Sequence, residues 1–229
     1  MEMDLGKRVE FHCHTIFSDG ILLPAALAVE AKIRGTAAIA FTDHVDPSNI
    51  EFAIKSLVHF CKEVGDSLGI KVIPGAEISY IPPAEIEKWS KKARKFGAKI
   101  IVVHGQSPVE PVFPGTNHAA VQLKGLVNIL AHPGNITVED AILASKNGIY
   151  LELSARNGHN TGNLHVAKMA KQYGAKLLVN TDAHSEKDLV TQEKAFEIAT
   201  AAGLSKEEVL KAVKDNPHDL LASINESLM

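Results

Sequence analysis

Imidazole and carboxylate side chains recur at the ends of short apolar runs in this chain. The first run ends in a His-x-His pair, and the last run is followed by Asp182 and His184. Zinc, manganese and iron are held in proteins by imidazole and carboxylate groups. Side chains placed in this way converge on one point only if the runs are parallel strands that share one end. The residues concerned are His12, His14, His44, Glu77, His104, His132, Asp182 and His184.

The apolar runs alternate with stretches in which apolar residues recur at helical spacing, as is typical of parallel βα units. Ligands on an open sheet would lie along a line, so we favour a closed or nearly closed barrel. We therefore predict an α/β fold, a seven-stranded (β/α)7 TIM-like barrel that occupies residues 1–229 as one domain. A final short helix over residues 216–228 is expected to close the barrel. The predicted strands cover residues 9–11, 38–42, 71–76, 100–103, 127–131, 149–153 and 177–181.

Strand alternation separates the ligand candidates from their neighbours. His12 and His14 are two residues apart, so they face the same side of a strand, while Cys13 faces the other side. We therefore expect Cys13 to pack beneath a helix. Asp43 alternates away from His44, which favours a role in orienting a ligand or capping a helix. His118 is expected to be structural.

Composition narrows the class of protein. The net charge of −3 gives no overall attraction to nucleic acid or to an anionic membrane. No apolar stretch approaches the roughly 18 residues that a membrane-spanning helix requires, and residues 1–9 are too charged for a secretory signal. Cys13 and Cys61 have no CxxC spacing and cannot form a disulfide framework. These features predict a reduced, cytoplasmic protein with no membrane partner, and they leave the oligomeric state open.

A cluster of this composition suits hydrolysis of a phosphoester. Two ions roughly 3.5–4 Å apart activate a water molecule as hydroxide and bind both the attacking and the leaving oxygens. A carboxylate such as Glu77 can bridge two ions, because each of its oxygens can bind one. The number of imidazoles favours zinc, manganese or iron over calcium or magnesium.

Seven short motifs between residues 11 and 185 resemble the PHP (polymerase and histidinol phosphatase) superfamily. The resemblance implies a distorted seven-stranded α/β barrel that binds up to three divalent ions. Residues 110–134 are similar to the compact stand-alone phosphoesterases of that superfamily. The motifs are Phe11-His12-Cys13-His14-Thr15, Ser18-Asp19-Gly20, Phe41-Thr42-Asp43-His44, Gly75-Ala76-Glu77, Val103-His104-Gly105, Ala131-His132-Pro133-Gly134 and Asn180-Thr181-Asp182-Ala183-His184-Ser185.

The resemblance also implies how the ligands are shared among two or three ions (zinc, manganese or iron). Glu77 would bridge two of them, and His184 is a catalytic candidate. Asp19 stands where many members of the superfamily carry histidine. The implied ligand sets are His12, His14, Glu77 and Asp182 for one ion, Glu77, His104 and His132 for a second, and Asp19, His44 and His184 for a third.

The sixth predicted strand lacks a ligand and ends in Ser154, with Arg156 just beyond it. A guanidinium group suits phosphate oxygens, so Arg156 is the candidate for substrate binding. Ser154, Asn157 and His159 share its loop and are weaker candidates for the pocket lining.

These observations predict a metal-dependent phosphatase that acts on a small phosphorylated metabolite. One alternative is phosphodiester cleavage, such as 3′–5′ exonuclease activity in the same superfamily. The net acidity makes a nucleic-acid substrate the weaker choice, and the basic stretch around Lys88–Lys95 is expected to be a solvated helix face. Another alternative is a non-catalytic metal-binding scaffold.

Overall fold

Parallel strands surround the centre of the computed structural model, which describes residues 4–228. Seven strands form the path β1–β2–β4–β5–β6–β7–β8, and the two-residue strand β3 pairs with β4 beside it. The predicted seven-stranded TIM-like barrel is confirmed, and its extent as one domain over residues 1–229 stays a prediction. The strands are β1 (Arg8–Glu10), β2 (Thr36–Phe41), β3 (His44–Val45), β4 (Lys71–Ile78), β5 (Ile100–His104), β6 (Ile129–Ala131), β7 (Tyr150–Ser154) and β8 (Leu177–Asn180).

Helices cover the outside of the barrel between the strands. Gly97 and Gly148 end two of them in the left-handed conformation (φ 109° and 70°), which glycine adopts without steric cost. A π-helical turn at Lys211–Asp215 links the eighth and ninth helices, so they follow one another without a loop. The helices are α1 (Pro24–Ile33), α2 (Ile50–Val64), α3 (Ile86–Phe96), α4 (Thr116–Val121), α5 (Val138–Asn147), α6 (Asn163–Tyr173), α7 (Gln192–Ala201), α8 (Lys206–Leu210) and α9 (Asn216–Ser223).

The interior of the barrel is an apolar layer formed by alternate residues of successive strands. Ile100 and Val102 of β5 belong to this layer, whereas Ile101 and Val103 pack outward with helix residues. Leu220 of α9 joins the interior layer, in keeping with the predicted closing helix at the end of the chain. We call this apolar end, at the start of the strands, the floor. The opposite end is the mouth.

The first and last strands do not pair along their length, and side chains fill the seam between them. One bridge, Cys13 to Ala183, joins the chain beyond β1 to the chain beyond β8. Below it, Arg8 donates a hydrogen bond to the Val179 carbonyl at 2.8 Å, and Glu10 accepts one from the Thr181 amide at 3.1 Å. These side chains satisfy backbone groups that an open sheet edge would leave unpaired.

Among residues 4–228, no helix combines the length and the apolar character needed to cross a bilayer. The prediction made for residues 1–9 falls in part on residues 1–3, which lie outside the described residues.

Candidate metal centre

The nine predicted ligands meet at the mouth of the barrel, and we refer to them as the donor ring. Most of them are fully buried, while Asp19, His44 and His184 lie at the more exposed rim. Every member follows or ends a strand or lies in the loop just beyond one, as the sequence predicted. The donor ring consists of His12, His14, Asp19, His44, Glu77, His104, His132, Asp182 and His184.

Glu77 lies at the centre of the donor ring. It is fully buried near the end of β4. Its Oε1 lies 3.3 Å from His12 Nε2 and 3.3 Å from His104 Nδ1. Its Oε2 lies 2.6 Å from His44 Nδ1 and 3.6 Å from His14 Nε2. Imidazoles therefore approach both carboxylate oxygens, as a bridging role between two cations requires.

Asp182 forms a second centre of negative charge on the opposite wall. Its Oδ1 lies 3.1 Å from His14 Nε2 and 3.7 Å from His12 Nε2, and its Oδ2 lies 3.9 Å from His132 Nε2. Glu77 and Asp182 therefore both contact the Nε2 atoms of the His-x-His pair. Its two imidazoles face the same side, as strand alternation predicted.

The rim of the donor ring is built around Asp19. Its Oδ2 lies 3.1 Å from His184 Nε2 and 3.8 Å from His44 Nε2, and its Oδ1 lies 3.7 Å from His14 Nδ1. The Asp19 side chain is 55% exposed. This part of the ring is therefore open to solvent and to a substrate.

Several subsets of the donor ring place one ligand atom per residue within 4.8 Å of one another. Two of them follow the predicted sets, since His12, His14 and Glu77 group together and Asp19, His44 and His184 group with His14. The other two divide the ring differently from the prediction, so the assignment of ligands to individual ions stays a prediction. These two subsets are His12, His132 and Asp182, and His44, Glu77 and His104.

Backbone conformation directs two members of the ring into the mouth. Ala131 belongs to the interior layer, so regular alternation would turn His132 outward. Instead His132 has a left-handed φ of 28°, and its ring lies 4.6 Å from that of His104. Asp182 is also left-handed, with φ 52°. Such strain in non-glycine residues clusters at binding and catalytic sites.

Asp43 supports the loop that carries Asp19. It is fully buried and accepts hydrogen bonds from the Thr15 amide at 2.8 Å and from the Ser18 hydroxyl at 2.9 Å. Asp43 thereby fixes the turn after the His-x-His pair, so the expectation that it orients a ligand agrees with its contacts. Cys13 is fully buried in the apolar cluster with Leu27 of α1, as predicted.

Electrostatics keep the carboxylates of the ring ionised. Burial raises the pKa of Glu77, but the imidazoles of His44 and His12 outweigh burial and hold that pKa well below its usual range. The pKa of Asp182 is lowered in the same way. Burial lowers the pKa of His14 to about 3. At His12 and His104 burial lowers the pKa, but nearby carboxylates outweigh burial and raise it, that of His104 to about 9. A metal ion requires ionised carboxylates and unprotonated imidazole nitrogens, so metal binding at the ring would release protons from these two histidines.

More than half of the buried side-chain polar atoms that lack a hydrogen-bond partner among the described residues belong to five members of the donor ring. Leaving so many buried groups unpaired would cost several kcal/mol, at roughly 1–3 kcal/mol for each. Imidazole nitrogens and carboxylate oxygens aimed at one another are the donor set for divalent ions of the zinc, manganese and iron class. The arrangement therefore fits a metal site. The residues with unpaired atoms are His12, His14, Glu77, His104 and His132.

Arg156 lies beside the ring, as the sequence predicted, at the start of the loop that follows β7. Its Nη1 donates to the Asp182 carbonyl oxygen at 3.1 Å and lies 2.5 Å from His184 Nδ1. Its side chain is 31% exposed. A guanidinium group thus borders the open rim of the site, beside His184 and Asp182.

Two residues of the mouth were not singled out by sequence reasoning, and a third was a weak candidate. Glu110 lies in the loop after β5, with Oε2 3.1 Å from His104 Nε2 and Oε1 3.3 Å from His159 Nε2. Tyr80, left-handed at φ 55°, stacks near His104 with ring centres 4.9 Å apart. His159 is almost fully buried, and its ring lies 4.1 Å from that of His132. No sequence signal marked Glu110 or Tyr80, because loop conformation brings them to the mouth.

One buried carboxylate lies a layer below the ring. Glu152 of β7 is fully buried, and its Oε2 lies 2.8 Å from His12 Nδ1. A signal for it was present, because a glutamate between Leu151 and Leu153 in an apolar run is seldom buried without a partner. His118, in contrast, lies away from the mouth and contacts Asp140 of α5 at 2.7 Å, in keeping with a structural role.

Comparison with known proteins decides the family. Residues 10–200 match the family model described as the PHP domain. The chain belongs to the PHP family. The matched range includes the whole donor ring and Arg156.

Two sequence relatives align with almost the whole of this chain. An uncharacterized protein of Methanocaldococcus jannaschii is 42% identical over 218 residues, which cover 95% of this chain and 100% of that protein. A probable phosphatase of Syntrophotalea carbinolica is 23% identical over 245 residues, covering 96% of this chain and 98% of the relative. These matches support a metal-dependent phosphoesterase.

A solved structure shares the fold. It is the histidinol phosphate phosphatase of Lactococcus lactis, complexed with zinc, L-histidinol and phosphate. The two structures superpose with a TM-score of 0.60, at 17% identity, over 87% of this chain and 95% of that one.

Proposed function

We propose that this protein is a metal-dependent phosphatase of small phosphomonoesters. The observation that carries the proposal is the donor ring, in which ionised carboxylates and buried imidazoles with no hydrogen-bond partner among the described residues converge beside Arg156 at the mouth of the barrel. Neither the relative named a probable phosphatase nor the histidinol phosphate phosphatase of the same fold fixes the substrate of this chain.

The donor ring would hold two or three divalent ions (zinc, manganese or iron), with Glu77 between two of them. When bound, the ions would supply an activated water molecule and positive charge for the phosphoryl oxygens. The chain itself contributes the shape of the site. Glu77 and Asp182 both contact the Nε2 atoms of the His-x-His pair, and the half-exposed Asp19 marks the rim from which substrate would enter.

Arg156 would bind the phosphoryl group. It borders the rim at His184, where its partly exposed guanidinium can donate hydrogen bonds to phosphate oxygens. Hydrogen bonds to charged groups contribute about 1.5–3 kcal/mol each. His184 lies between Arg156 and Asp19, which keeps it a candidate for direct participation in catalysis.

The leaving group would lie in a pocket of about 210 Å³ beside Asp19 and His44. Its other walls are formed by short polar side chains and by Tyr80. A pocket of this size and polarity suits the alcohol portion of a small metabolite. The polar lining residues are Ser18, Asp46, Ser48, Asn49 and Ser79.

The outer basic helix offers little to a nucleic acid. Lys88 pairs with Glu85 at 2.5 Å, and Lys91 pairs with Glu87 at 2.6 Å. Arg94 donates to carbonyl oxygens, including that of Lys99. These three cations are therefore already paired on the surface of α3.

The decisive experiment compares phosphomonoesters with phosphodiesters as substrates of the purified protein loaded with zinc, manganese or iron. We expect hydrolysis of p-nitrophenyl phosphate and of metabolite phosphates, and much slower cleavage of bis(p-nitrophenyl) phosphate and single-stranded DNA. Faster cleavage of the diesters would instead identify a phosphodiesterase. Metal binding without turnover of any phosphoester would identify a non-catalytic scaffold.

A further inference from the structure

Among the described residues, β7 is the one strand of the main barrel path that neither contains a member of the donor ring nor leads directly into one, yet it carries the fully buried carboxylate of Glu152. Tyr150 belongs to the interior layer, and Glu152 two residues later faces the same side of the strand. Leu151 and Leu153 face outward into the helix-covered core. Glu152 therefore lies inside the barrel, one layer below the mouth.

Glu152 joins three strands around the seam. Its Oε2 lies 2.8 Å from His12 Nδ1 and accepts a hydrogen bond from Asn180 Nδ2 at 3.2 Å. Asn180 in turn accepts from the Phe11 amide at 3.3 Å. Glu152 Oε1 is buried with no hydrogen-bond partner among the described residues. Burying a carboxylate is costly unless it is paired and hydrogen-bonded, so the contacts of Oε2 with His12 and Asn180 are what make this burial tolerable.

The contact determines which nitrogen of His12 faces the ring. A carboxylate oxygen accepts hydrogen bonds, so His12 Nδ1 must carry the hydrogen. Nε2 then presents its lone pair upward, where it lies 3.3 Å from Glu77 Oε1 and 3.7 Å from Asp182 Oδ1. The ring plane and the free nitrogen of His12 are thus set from below.

We propose that Glu152 is the positioning residue for His12 and thereby sets the metal affinity of the donor ring. It touches neither the substrate nor the reacting atoms, and it acts through the imidazole alone. The proposal rests on the proposed function only in that His12 is taken to be a metal ligand.

Two substitutions and one control test the role of Glu152. Glu152→Leu removes the acceptor and the charge, whereas Glu152→Gln keeps an acceptor oxygen at similar volume. Leu153→Val is the matched control, because it perturbs the neighbouring buried position of the same strand on its outward face. Each metal-free variant is first checked by circular dichroism and thermal melting.

Zinc affinity is then measured on metal-free protein by competition with a chromogenic chelator. We expect Glu152→Leu to weaken zinc binding by about 10–100-fold, the range found when partners of metal-binding histidines are removed. Glu152→Gln should weaken it severalfold, and Leu153→Val should bind zinc as the wild type does. Imidazole ¹⁵N NMR should show His12 protonated at Nδ1 in the wild type and a mixture of tautomers in Glu152→Leu.

Unchanged zinc affinity in Glu152→Leu, or an equal loss in Leu153→Val, would overturn the proposal. If Glu152→Leu does not fold, Glu152→Gln decides, and wild-type affinity with an unaltered His12 signal would then refute it. A wild-type protein that binds no zinc would instead refute the proposed function, so the two failures are distinguishable.

Discussion

Carboxylates lie at both the mouth and the floor of the barrel, but the two ends differ in the groups that surround them. At the floor, Glu226 pairs with Lys71 at 2.6 Å and also with Lys99, so its charge is compensated by ordinary cations. At the mouth, Glu77 is surrounded by imidazoles and has no hydrogen-bond partner for either oxygen among the described residues. Leu220 and its apolar neighbours complete the floor.

The difference indicates that the floor contributes mainly to the stability of the fold, whereas the mouth is arranged for binding. The floor resembles the interior of any globular protein, because its polar groups are paired and its apolar groups are packed. The mouth carries unpaired donors and left-handed residues that lower stability in the absence of a ligand. A substitution at the mouth should therefore reduce metal binding and activity, whereas one at the floor should reduce the free energy of unfolding.

The largest effect is expected at Glu77. Glu77→Gln removes a charge that both proposed central ions share, so we expect kcat on p-nitrophenyl phosphate to fall more than about a thousandfold, in line with the several kcal/mol that metal ions supply to such reactions. Bound metal, measured by elemental analysis, should fall in parallel. An active and metal-replete Glu77→Gln would contradict the scheme.

Leu220→Ala tests the floor. Removing this buried side chain leaves a cavity in the interior layer, and we expect the free energy of unfolding to fall by about 2–5 kcal/mol. Urea denaturation of the metal-free protein measures it. Metal content and kcat at a temperature where the variant is folded should match the wild type. A loss of metal binding in this variant would show that the two ends are not independent.

Arg156→Ala gives the smallest expected effect and isolates substrate binding at the rim. Loss of a charged hydrogen-bond donor should raise KM for p-nitrophenyl phosphate roughly tenfold to a hundredfold, equivalent to about 1.5–3 kcal/mol. Because Arg156 also contacts His184, metal content is measured on the same sample, and we expect it to be unchanged. Kinetics equal to the wild type would remove Arg156 from the substrate site.

Sequence reasoning predicted the barrel and the donor ring because both follow from alternation and strand order. The side chain of Glu77 lies inside because β4 alternates regularly, and Glu152 could have been identified by the same rule. His132 lies in the ring only because its backbone is left-handed, a conformation that no local pattern announces. Glu110 and Tyr80 depend on loop paths, which periodicity does not describe.

The seam between β1 and β8 brings together members of the donor ring that are far apart in the sequence. The hydrogen bond from the Thr181 amide to Glu10 joins residues 171 positions apart, and His12 and Asp182 stand on the two sides of this junction. A metal ion bound between them would act as a cross-link that closes residues 12–182, about three quarters of the chain, into a loop. Such a link opposes fraying of the first and last strands, and it can form only after the barrel has closed. Metal binding would then occur only in molecules whose barrel has closed, so the bound fraction would measure how many molecules have completed folding.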